Sequence, residues 1–219
     1  MKTAPLSLFH IIKPSSLKDV KPPALFMFHG YGSNEEDLFS FAEELPSEYF
    51  IISVRAPYPL PPFGNAWYSI NFDASYGKWS DDKEALSSIS LILKFIDEAS
   101  LAYNLDTAKL DLLGFSQGTV LCYALGLSYP EKIRNIVALS GYINEKILIE
   151  GYADKNHKHV AIYSSHGQVD QVIPIEWAQK SMGLLKSQNI NYTYEEFPIG
   201  HGVSADNFYS FKRWLKERF

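Results

Sequence analysis

Hydrophobic residues in this chain form short runs that alternate with longer amphipathic segments. Runs such as Ile136-Val137-Ala138-Leu139 are apolar throughout, which is typical of strands buried on both faces of a sheet. The segments between them repeat apolar residues every three to four positions, as an amphipathic helix requires. Strands that alternate with helices predict the α/β class, with a mostly parallel central sheet and helices on both of its faces.

The pattern predicts bounds for most elements. The predicted strands are 6–12, 24–28, 49–54, 110–115, 134–139, 159–164 and 191–197. The predicted helices are 34–44, capped by Ser33 or Asn34, 82–103, capped by Ser80 or Asp81, and 117–129, 175–187 and 205–218. The stretch 55–64 contains four prolines and is predicted to be a loop without regular structure, and a polar loop is predicted to end at Lys155.

Composition narrows the class of protein. A chain of 219 residues without internal repeats fits one domain, 1–219. The net charge of −5 and the scattered basic residues argue against a nucleic-acid partner or an anionic membrane surface. The single cysteine, Cys122, excludes an intramolecular disulfide and a cysteine metal cluster. No run is long enough for stable membrane insertion, and the N-terminus lacks a convincing signal sequence, so we expect a cytoplasmic protein.

The segment Gly114-Phe115-Ser116-Gln117-Gly118 lies where a predicted strand passes into a helix. A serine at such a sharp turn adopts strained backbone angles, and small residues two positions before and after it let the strand and helix pass closely. The pattern predicts Ser116 as an exposed nucleophile and the Gln117 N–H, at the helix start, as a donor to an oxyanion. The alternative is that the two glycines only ease a tight turn.

A serine nucleophile needs a base, and the histidines differ in their position along the chain. His201 lies in a glycine-flanked loop between the last strand and the last helix. It follows the serine in the order Ser, Asp, His that this kind of fold uses, which excludes His29 and disfavours His166. Taken alone, a histidine in such a loop would equally well be structural. The other histidines are predicted to be sheet or solvated side chains: His10, His157 and His159.

The carboxylate that orients the base is expected after the strand 159–164. Asp170 lies in a turn there, and a buried carboxylate at that point would hold the second ring N–H of His201. The alternative role for Asp170, a helix cap, is less favoured because Pro174 is the better helix start. Asp154 is more remote from a strand end, and Asp206 is assigned to the first turn of the last helix.

A second oxyanion donor is expected from the loop that follows the strand 24–28. Its sequence, His29-Gly30-Tyr31-Gly32-Ser33-Asn34, lets backbone approach a substrate closely, and the Tyr31 N–H is the predicted donor. On its own the loop would be taken for an ordinary turn.

Together the motifs resemble the α/β-hydrolase superfamily and, within it, the phospholipase/carboxylesterase family, which includes small bacterial carboxylesterases and acyl-protein thioesterases. The resemblance rests on HGYGSNEEDL, AWYSI, GFSQG, VALSGY, HGQVDQVIP and GHGVS, in this order from residue 29 to residue 204. It implies Ser116, Asp170 and His201 as the catalytic residues and the N–H groups of Tyr31 and Gln117 as the oxyanion hole.

The resemblance also bears on the substrate. Trp67 of AWYSI matches an aromatic position that lines the substrate groove of the family. The chain departs from the family pattern at two positions. The family commonly has leucine at the position of Tyr31, and it has an aspartate after the aromatic pair, at the position of Ser69. The Tyr31 side chain is expected to border the acyl or alcohol pocket. A cluster of aromatic residues either forms an apolar wall beside the serine or packs as a satellite of the core: Phe63, Trp67, Tyr68, Phe72, Tyr76 and Trp79.

The sequence therefore predicts hydrolysis of a small-molecule ester or thioester through an acyl-enzyme, without a metal or organic cofactor. A dedicated long-chain acyl thioesterase or lysophospholipase stays open, as does a non-catalytic binding protein on a hydrolase scaffold. A homodimer formed through exposed aromatic residues stays open as well.

Overall fold

The computed structural model describes the backbone of residues 3–73 and 77–219 and the side chains of residues 3–70 and 80–219. Its strands are β1 (His10–Lys13), β2 (Ala24–Phe28), β3 (Phe50–Val54), β4 (Tyr58–Pro59), β5 (Asn65–Ala66), β6 (Ile70–Asp73), β7 (Gly77–Ser80), β8 (Leu110–Phe115), β9 (Asn135–Leu139), β10 (Ala161–Gly167) and β11 (Asn191–Phe197). Its helices are α1 (Glu36–Phe39), α2 (Asp82–Ala102), α3 (Gln117–Ser128), α4 (Ile175–Ser187) and α5 (Ala205–Lys216).

Seven strands form one sheet in the order β1-β3-β2-β8-β9-β10-β11. β1 is antiparallel to β3, and the other neighbours in the sheet run parallel. Two small antiparallel pairs lie outside it, β4 with β5 and β6 with β7. The mostly parallel sheet confirms the predicted α/β class.

Both faces of the sheet are buried, which explains why a central strand such as β2 is apolar at every position. In β2, Phe26 and Phe28 pack on one face together with residues of α2, α3 and α4. Leu25 and Met27 point to the opposite face, where α1 and α5 pack. Successive side chains of a strand alternate between the two faces of the sheet. A strand that is buried on both faces therefore lacks the alternation of apolar and polar residues that a half-exposed strand shows.

Several predicted bounds are confirmed. β2, β8, β11 and α4 begin and end at the predicted residues, and the Asp81 carboxylate caps α2 by accepting the N–H groups of Lys83 and Glu84 at 3.0 Å each. The bounds of these three strands and of α4 are therefore set by their local sequence. The carboxyl ends of β2, β8 and β11, where α/β proteins gather their functional loops, follow from the same bounds.

Other bounds are wrong. The first strand begins at His10 instead of residue 6, and the strand predicted at 159–164 is β10, which continues to Gly167 because that residue still pairs with Phe197 of β11. The helix predicted at 34–44 ends at Phe39, where the chain tightens into three-residue turns such as Ala42 N–H to Phe39 O, 2.9 Å.

Two loops carry more order than their sequences predict. The Pro-rich stretch 55–64 contains β4, which pairs with β5. This ladder has only two residue pairs, so it tolerates Pro59, which has no N–H to donate. The loop before Lys155 contains short 3₁₀ turns at Glu145–Ile147 and Tyr152–Asp154. The β6–β7 pair was not predicted.

A buried ionic network lies at the amino-terminal end of β8. The Asp111 carboxylate is fully buried and accepts hydrogen bonds from the Arg134 guanidinium at 2.7 and 3.0 Å. It also accepts the Tyr49 hydroxyl and, at 3.1 Å each, the N–H and amide of Asn135. Both oxygens of the buried carboxylate therefore accept hydrogen bonds, which offsets the cost of removing its charge from water.

Among the described residues, no helix combines the length and the apolar composition that crossing a membrane requires.

Candidate active site

Ser116 lies on a sharp turn between β8 and α3, as the sequence predicts. Its φ of 52° falls in the left-handed region that non-glycine residues rarely adopt, and its N–H donates to Leu139 O at 2.9 Å. A Cβ at Gly118 would lie 2.0 Å from Phe28 O, and one at Gly114 would lie 2.6 Å from Thr119 N. Both glycines are required because the backbones of β2, β8 and α3 meet here without room for a side chain.

This close approach leads to a prediction. We expect Gly118→Ala to lower the free energy of unfolding by about 1–3 kcal/mol, because the added methyl group must push α3 away from β2. The same shift would separate Ser116 from the loop after β2. Gly183→Ala is the matched control: its Cβ would meet nothing within 4 Å, so it should stabilise α4 slightly. Urea unfolding of both variants measures the difference, and equal stabilities would contradict it.

Three predicted side chains lie in one hydrogen-bonded chain. His201 Nε2 is 2.9 Å from Ser116 Oγ, and His201 Nδ1 is 2.7 Å from Asp170 Oδ2. An ionised carboxylate only accepts hydrogen bonds, so Nδ1 carries the proton and donates it to Asp170. Nε2 is then free to accept the serine hydroxyl proton, which is the arrangement that general-base activation requires.

The surroundings of Asp170 favour its charged form. Burial of the carboxyl by itself raises the pKa, but the N–H groups of Ile173 and Val172, at 2.9 and 2.8 Å, together with His201 outweigh burial and hold the pKa of Asp170 below its ordinary value. The carboxylate is therefore ionised at neutral pH. Its Oδ1 is committed to the turn and its Oδ2 to the histidine.

The loop that carries His201 is fixed against the ends of two strands. A Cβ at Gly167 would lie 2.2 Å from Gly200 O, so β10 and this loop are in backbone contact. The Phe115 ring lies 4.9 Å, centre to centre, from the His201 ring. These contacts keep the loop next to the ends of β8 and β10, and only a glycine at 167 permits the backbone contact.

The other predicted histidines have different partners. The His29 side chain donates from Nδ1 to Gly30 O at 2.7 Å and accepts the Ala56 N–H at 3.1 Å, and burial lowers its pKa. His166 Nε2 donates to Ile173 O at 2.9 Å and lies 3.4 Å from Asp170 Oδ2. The expectation that His157 is solvated is wrong: the side chain is buried and contacts Leu127 O at 2.9 Å.

The two predicted oxyanion donors, Tyr31 and Gln117, line one cavity with Ser116 and His201. Neither the Tyr31 N–H nor the Gln117 N–H donates in any hydrogen bond between described residues, as expected for the open start of a helix and for a turn. A Cβ at Gly30 would be 3.4 Å from Ser116 Cβ, so the loop after β2 lies directly beside the serine. Both N–H groups are therefore available close to the Ser116 hydroxyl.

The cavity formed by the described residues has a volume of about 230 Å³ and a largely apolar wall. The apolar and aromatic residues of the wall are Tyr31, Tyr68, Ile70, Val120, Tyr142, Val172, Ile173 and Trp177. Tyr31 is half-exposed at the mouth, and the Tyr142 and Trp177 rings pack edge to face with centres 4.8 Å apart. Such a wall suits an apolar group next to the serine.

The expected role of Trp67 as a substrate-lining residue is wrong. Its side chain is fully buried, and its indole N–H donates to His29 O at 3.0 Å. The Gln117 side chain accepts the Trp67 N–H and donates to Tyr68 O, both at 2.7 Å, which fixes this segment against the turn at Ser116. Trp67 therefore packs entirely within the core, whereas Tyr68, the next residue of the same bend, lines the cavity.

The remaining aromatic residues of this region separate. Phe63 is exposed, and only Tyr68 of the predicted cluster lines the cavity. Tyr76, and the side chains of Phe72 and Trp79, lie outside the described residues. The sequence interpretation missed Tyr142, Val172 and Trp177, although all three follow the carboxyl ends of β9 and β10. That position along the chain was the available signal.

No group of three or more histidine, cysteine, aspartate or glutamate side chains in the described ranges is arranged to hold a metal ion. Cys122 is buried in α3 and is a free thiol.

Comparisons with known proteins agree on one family. The sequence profile of the phospholipase/carboxylesterase family matches residues 10–218. A probable carboxylesterase SOBER1-like of Arabidopsis thaliana is 26% identical over 155 residues, a match that spans 70% of this chain and 59% of that relative. Acyl-protein thioesterase 1 of Yarrowia lipolytica is 25% identical over 207 residues, 88% of this chain and 90% of that protein.

The fold has close counterparts among solved structures. The Bacillus cereus carboxylesterase superposes with a TM-score of 0.82 at 22% identity, covering 97% of this chain and 95% of that one. The Mesorhizobium loti carboxylesterase gives a TM-score of 0.81 at 18% identity, with 98% and 97% coverage. The architecture is thus that of the α/β hydrolases, and the chain belongs to the phospholipase/carboxylesterase family. Its enzyme class is that of the carboxylic-ester hydrolases.

Proposed function

We propose that the chain hydrolyses carboxylic esters, and thioesters by the same route, through an acyl-enzyme on Ser116. The observation that carries the proposal is the chain of contacts from Ser116 Oγ through His201 to Asp170, at 2.9 and 2.7 Å. A non-catalytic binding protein has no need for a strained serine, a histidine of fixed tautomer and an ionised carboxylate in one line.

The first half of the reaction forms the acyl-enzyme. His201 Nε2 takes the proton of Ser116 as Oγ attacks the carbonyl carbon, and Asp170 stabilises the imidazolium that results. The N–H groups of Tyr31 and Gln117 donate to the oxygen that becomes negative in the tetrahedral intermediate. When that intermediate collapses, the alcohol or thiol leaves with the proton held by His201.

The second half releases the acid. Water enters, gives a proton to His201 Nε2 and attacks the acyl carbon, and the second tetrahedral intermediate uses the same two donors. Ser116 recovers its proton and the carboxylic acid departs. Each step uses only groups that already surround the serine.

The preferred substrates in this proposal carry small apolar groups. A cavity of about 230 Å³ is smaller than the roughly 300–1,000 Å³ typical of drug-sized ligands. A long acyl chain would have to leave the cavity over the half-exposed Val172 and Trp177. The half-exposed Tyr31 side chain also lines the cavity and would contact the same group. The thioesterase names of several relatives support thioesters as additional substrates.

The test is hydrolysis of p-nitrophenyl esters from acetate to palmitate, and of short and long acyl thioesters of coenzyme A, by the purified protein. The proposal predicts ester turnover with the highest kcat/KM at the short end of the series. A maximum at palmitate would favour the long-chain reading. No turnover of any of these substrates by the folded protein would refute the proposed function.

We also propose that residues 1–219 form one domain, which limited proteolysis tests. We propose a cytoplasmic location, which cell fractionation tests, and a homodimer, which light scattering tests.

A further inference from the structure

Ser140, directly after β9, has an unusual backbone conformation. Its φ is 50°, in the left-handed region, although the residue is buried and is not glycine. The other described non-glycine residues with a positive φ are Ser116 and three exposed turn residues, Asp19, Asn104 and Asn189. Asp and Asn tolerate this conformation, whereas serine in it carries strain. The two strained serines among the described residues therefore lie at the same end of the sheet.

Backbone requirements alone do not explain a serine at this position. Glycine adopts a positive φ without the steric penalty, and the Ser140 N–H, which donates to Ser165 O at 2.9 Å, would be kept in glycine as well. What glycine lacks is the hydroxyl. The Ser140 Oγ–H donates to Gly202 O at 3.3 Å, and Gly202 is the residue after His201.

The backbone on either side of His201 has few other attachments. On one side the Val169 N–H donates to Ile199 O at 3.2 Å, and on the other the Ser204 hydroxyl caps α5 by accepting the Asn207 N–H at 3.2 Å. Between these points, the contact from Ser140 is the only hydrogen bond between described residues that reaches the backbone of residues 200–203. This short segment carries the imidazole.

We propose that Ser140 is a positioning residue for His201. Its hydroxyl holds the Gly202 carbonyl, and through it the imidazole, at hydrogen-bond distance from Ser116, and the strained backbone at Ser140 is kept for that contact. The inference rests on the proposed function, since it assigns a role within the same site. Strain retained at a functional site is a known departure from the local rules that the rest of a chain follows.

Two variants separate positioning from stability. Ser140→Gly removes both the hydroxyl and the strain, and Ser140→Ala removes the hydroxyl but keeps the strain. We expect both to lower kcat for ester hydrolysis by roughly 10- to 100-fold with KM little changed, since small displacements of a catalytic group have effects of this size. Their melting temperatures should differ, with that of the glycine variant equal to or above that of the wild type and that of the alanine variant below it.

The control is Asn189→Gly, which relieves a positive φ of 53° in the exposed turn between α4 and the amino-terminal end of β11, whereas His201 follows the other end of that strand. It should leave kcat unchanged. A role limited to stability would make activity follow the melting temperature, and wild-type kcat in both Ser140 variants would overturn the proposal.

A readout that needs no turnover keeps this test separate from the test of the proposed function. The ¹⁵N resonances of the His201 ring report its hydrogen bonds, and we expect them to shift or broaden in both Ser140 variants but not in Asn189→Gly. Unchanged ring resonances in both variants would also overturn the positioning role. The absence of ester turnover in the wild type would refute the function instead.

Discussion

Ser116→Ala is expected to lower kcat for ester hydrolysis by about 10⁶-fold, the size of effect that removal of a serine nucleophile has in serine hydrolases. The methyl group cannot form the acyl-enzyme, so only stabilisation by the oxyanion donors and by substrate binding remains. The KM and the melting temperature should change little, because the hydroxyl contributes one partly exposed hydrogen bond, to His201. Measurement of kcat on a short p-nitrophenyl ester tests this.

The matched control is Ser87→Ala. Ser87 is exposed on α2, and its hydroxyl donates to Lys83 O at 3.0 Å, within its own helix. This variant should retain wild-type kcat. A Ser116→Ala protein that kept even a tenth of the wild-type rate would show that another group performs the attack.

The largest effect on stability is expected from Asp111→Ala. The change leaves the partly buried Arg134 guanidinium and the donors of Tyr49 and Asn135 without their acceptor, and the loss of one partner from a buried ion pair costs about 3–5 kcal/mol. Asp111 lies at the amino-terminal end of β8 and Ser116 follows its other end, about 16 Å away at the rise of a strand. The kcat of the folded fraction should therefore be unchanged.

Asp97→Ala is the control for this variant. Asp97 pairs with Lys132 at 2.6 Å, but both side chains are exposed, so the loss should not exceed about 1 kcal/mol. Urea unfolding curves of the two variants give the comparison. Similar losses in both would mean that the network at Asp111 contributes no more than a surface pair.

The elements that the sequence predicts most accurately are those whose bounds depend on local signals. β2 is a continuous apolar run, β8 is apolar except for Asp111, and α4 starts after Pro174, so their limits can be read from neighbouring residues. The helix predicted at 34–44 covers both α1 and the turns after Phe39, because Leu38 of α1 and Ala42 of the turns are buried in the same cluster at a spacing that also suits a helix. β10 extends to Gly167 because a neighbouring strand supplies partners there.

Some features of the candidate site could also be predicted from the sequence, and others could not. The chemistry of Ser116, Asp170 and His201 and their order along the chain led to a grouping that the hydrogen bonds reproduce, although their catalytic role remains a prediction. The direction of a side chain was harder to predict. Trp67 and Tyr68 are adjacent aromatic residues, and only the tertiary structure decides that the first is buried in the core and the second lines the cavity.

The strained conformation of Ser140 had no signal in the sequence at all. Serine is common at the ends of strands, and nothing in VALSGY distinguishes a positive φ from an ordinary turn. The hydrogen bond to Gly202 joins residues 62 positions apart, which local patterns cannot report.

The activation of Ser116 as a nucleophile is tested most directly by the site at which a fluorophosphonate modifies the protein, located by peptide mass spectrometry. We expect one adduct, on Ser116, formed rapidly by the wild type and at a greatly reduced rate by His201→Ala, because phosphonylation needs the same base as acylation. An adduct on a different residue, or a folded wild-type protein that stays unlabelled, would contradict it.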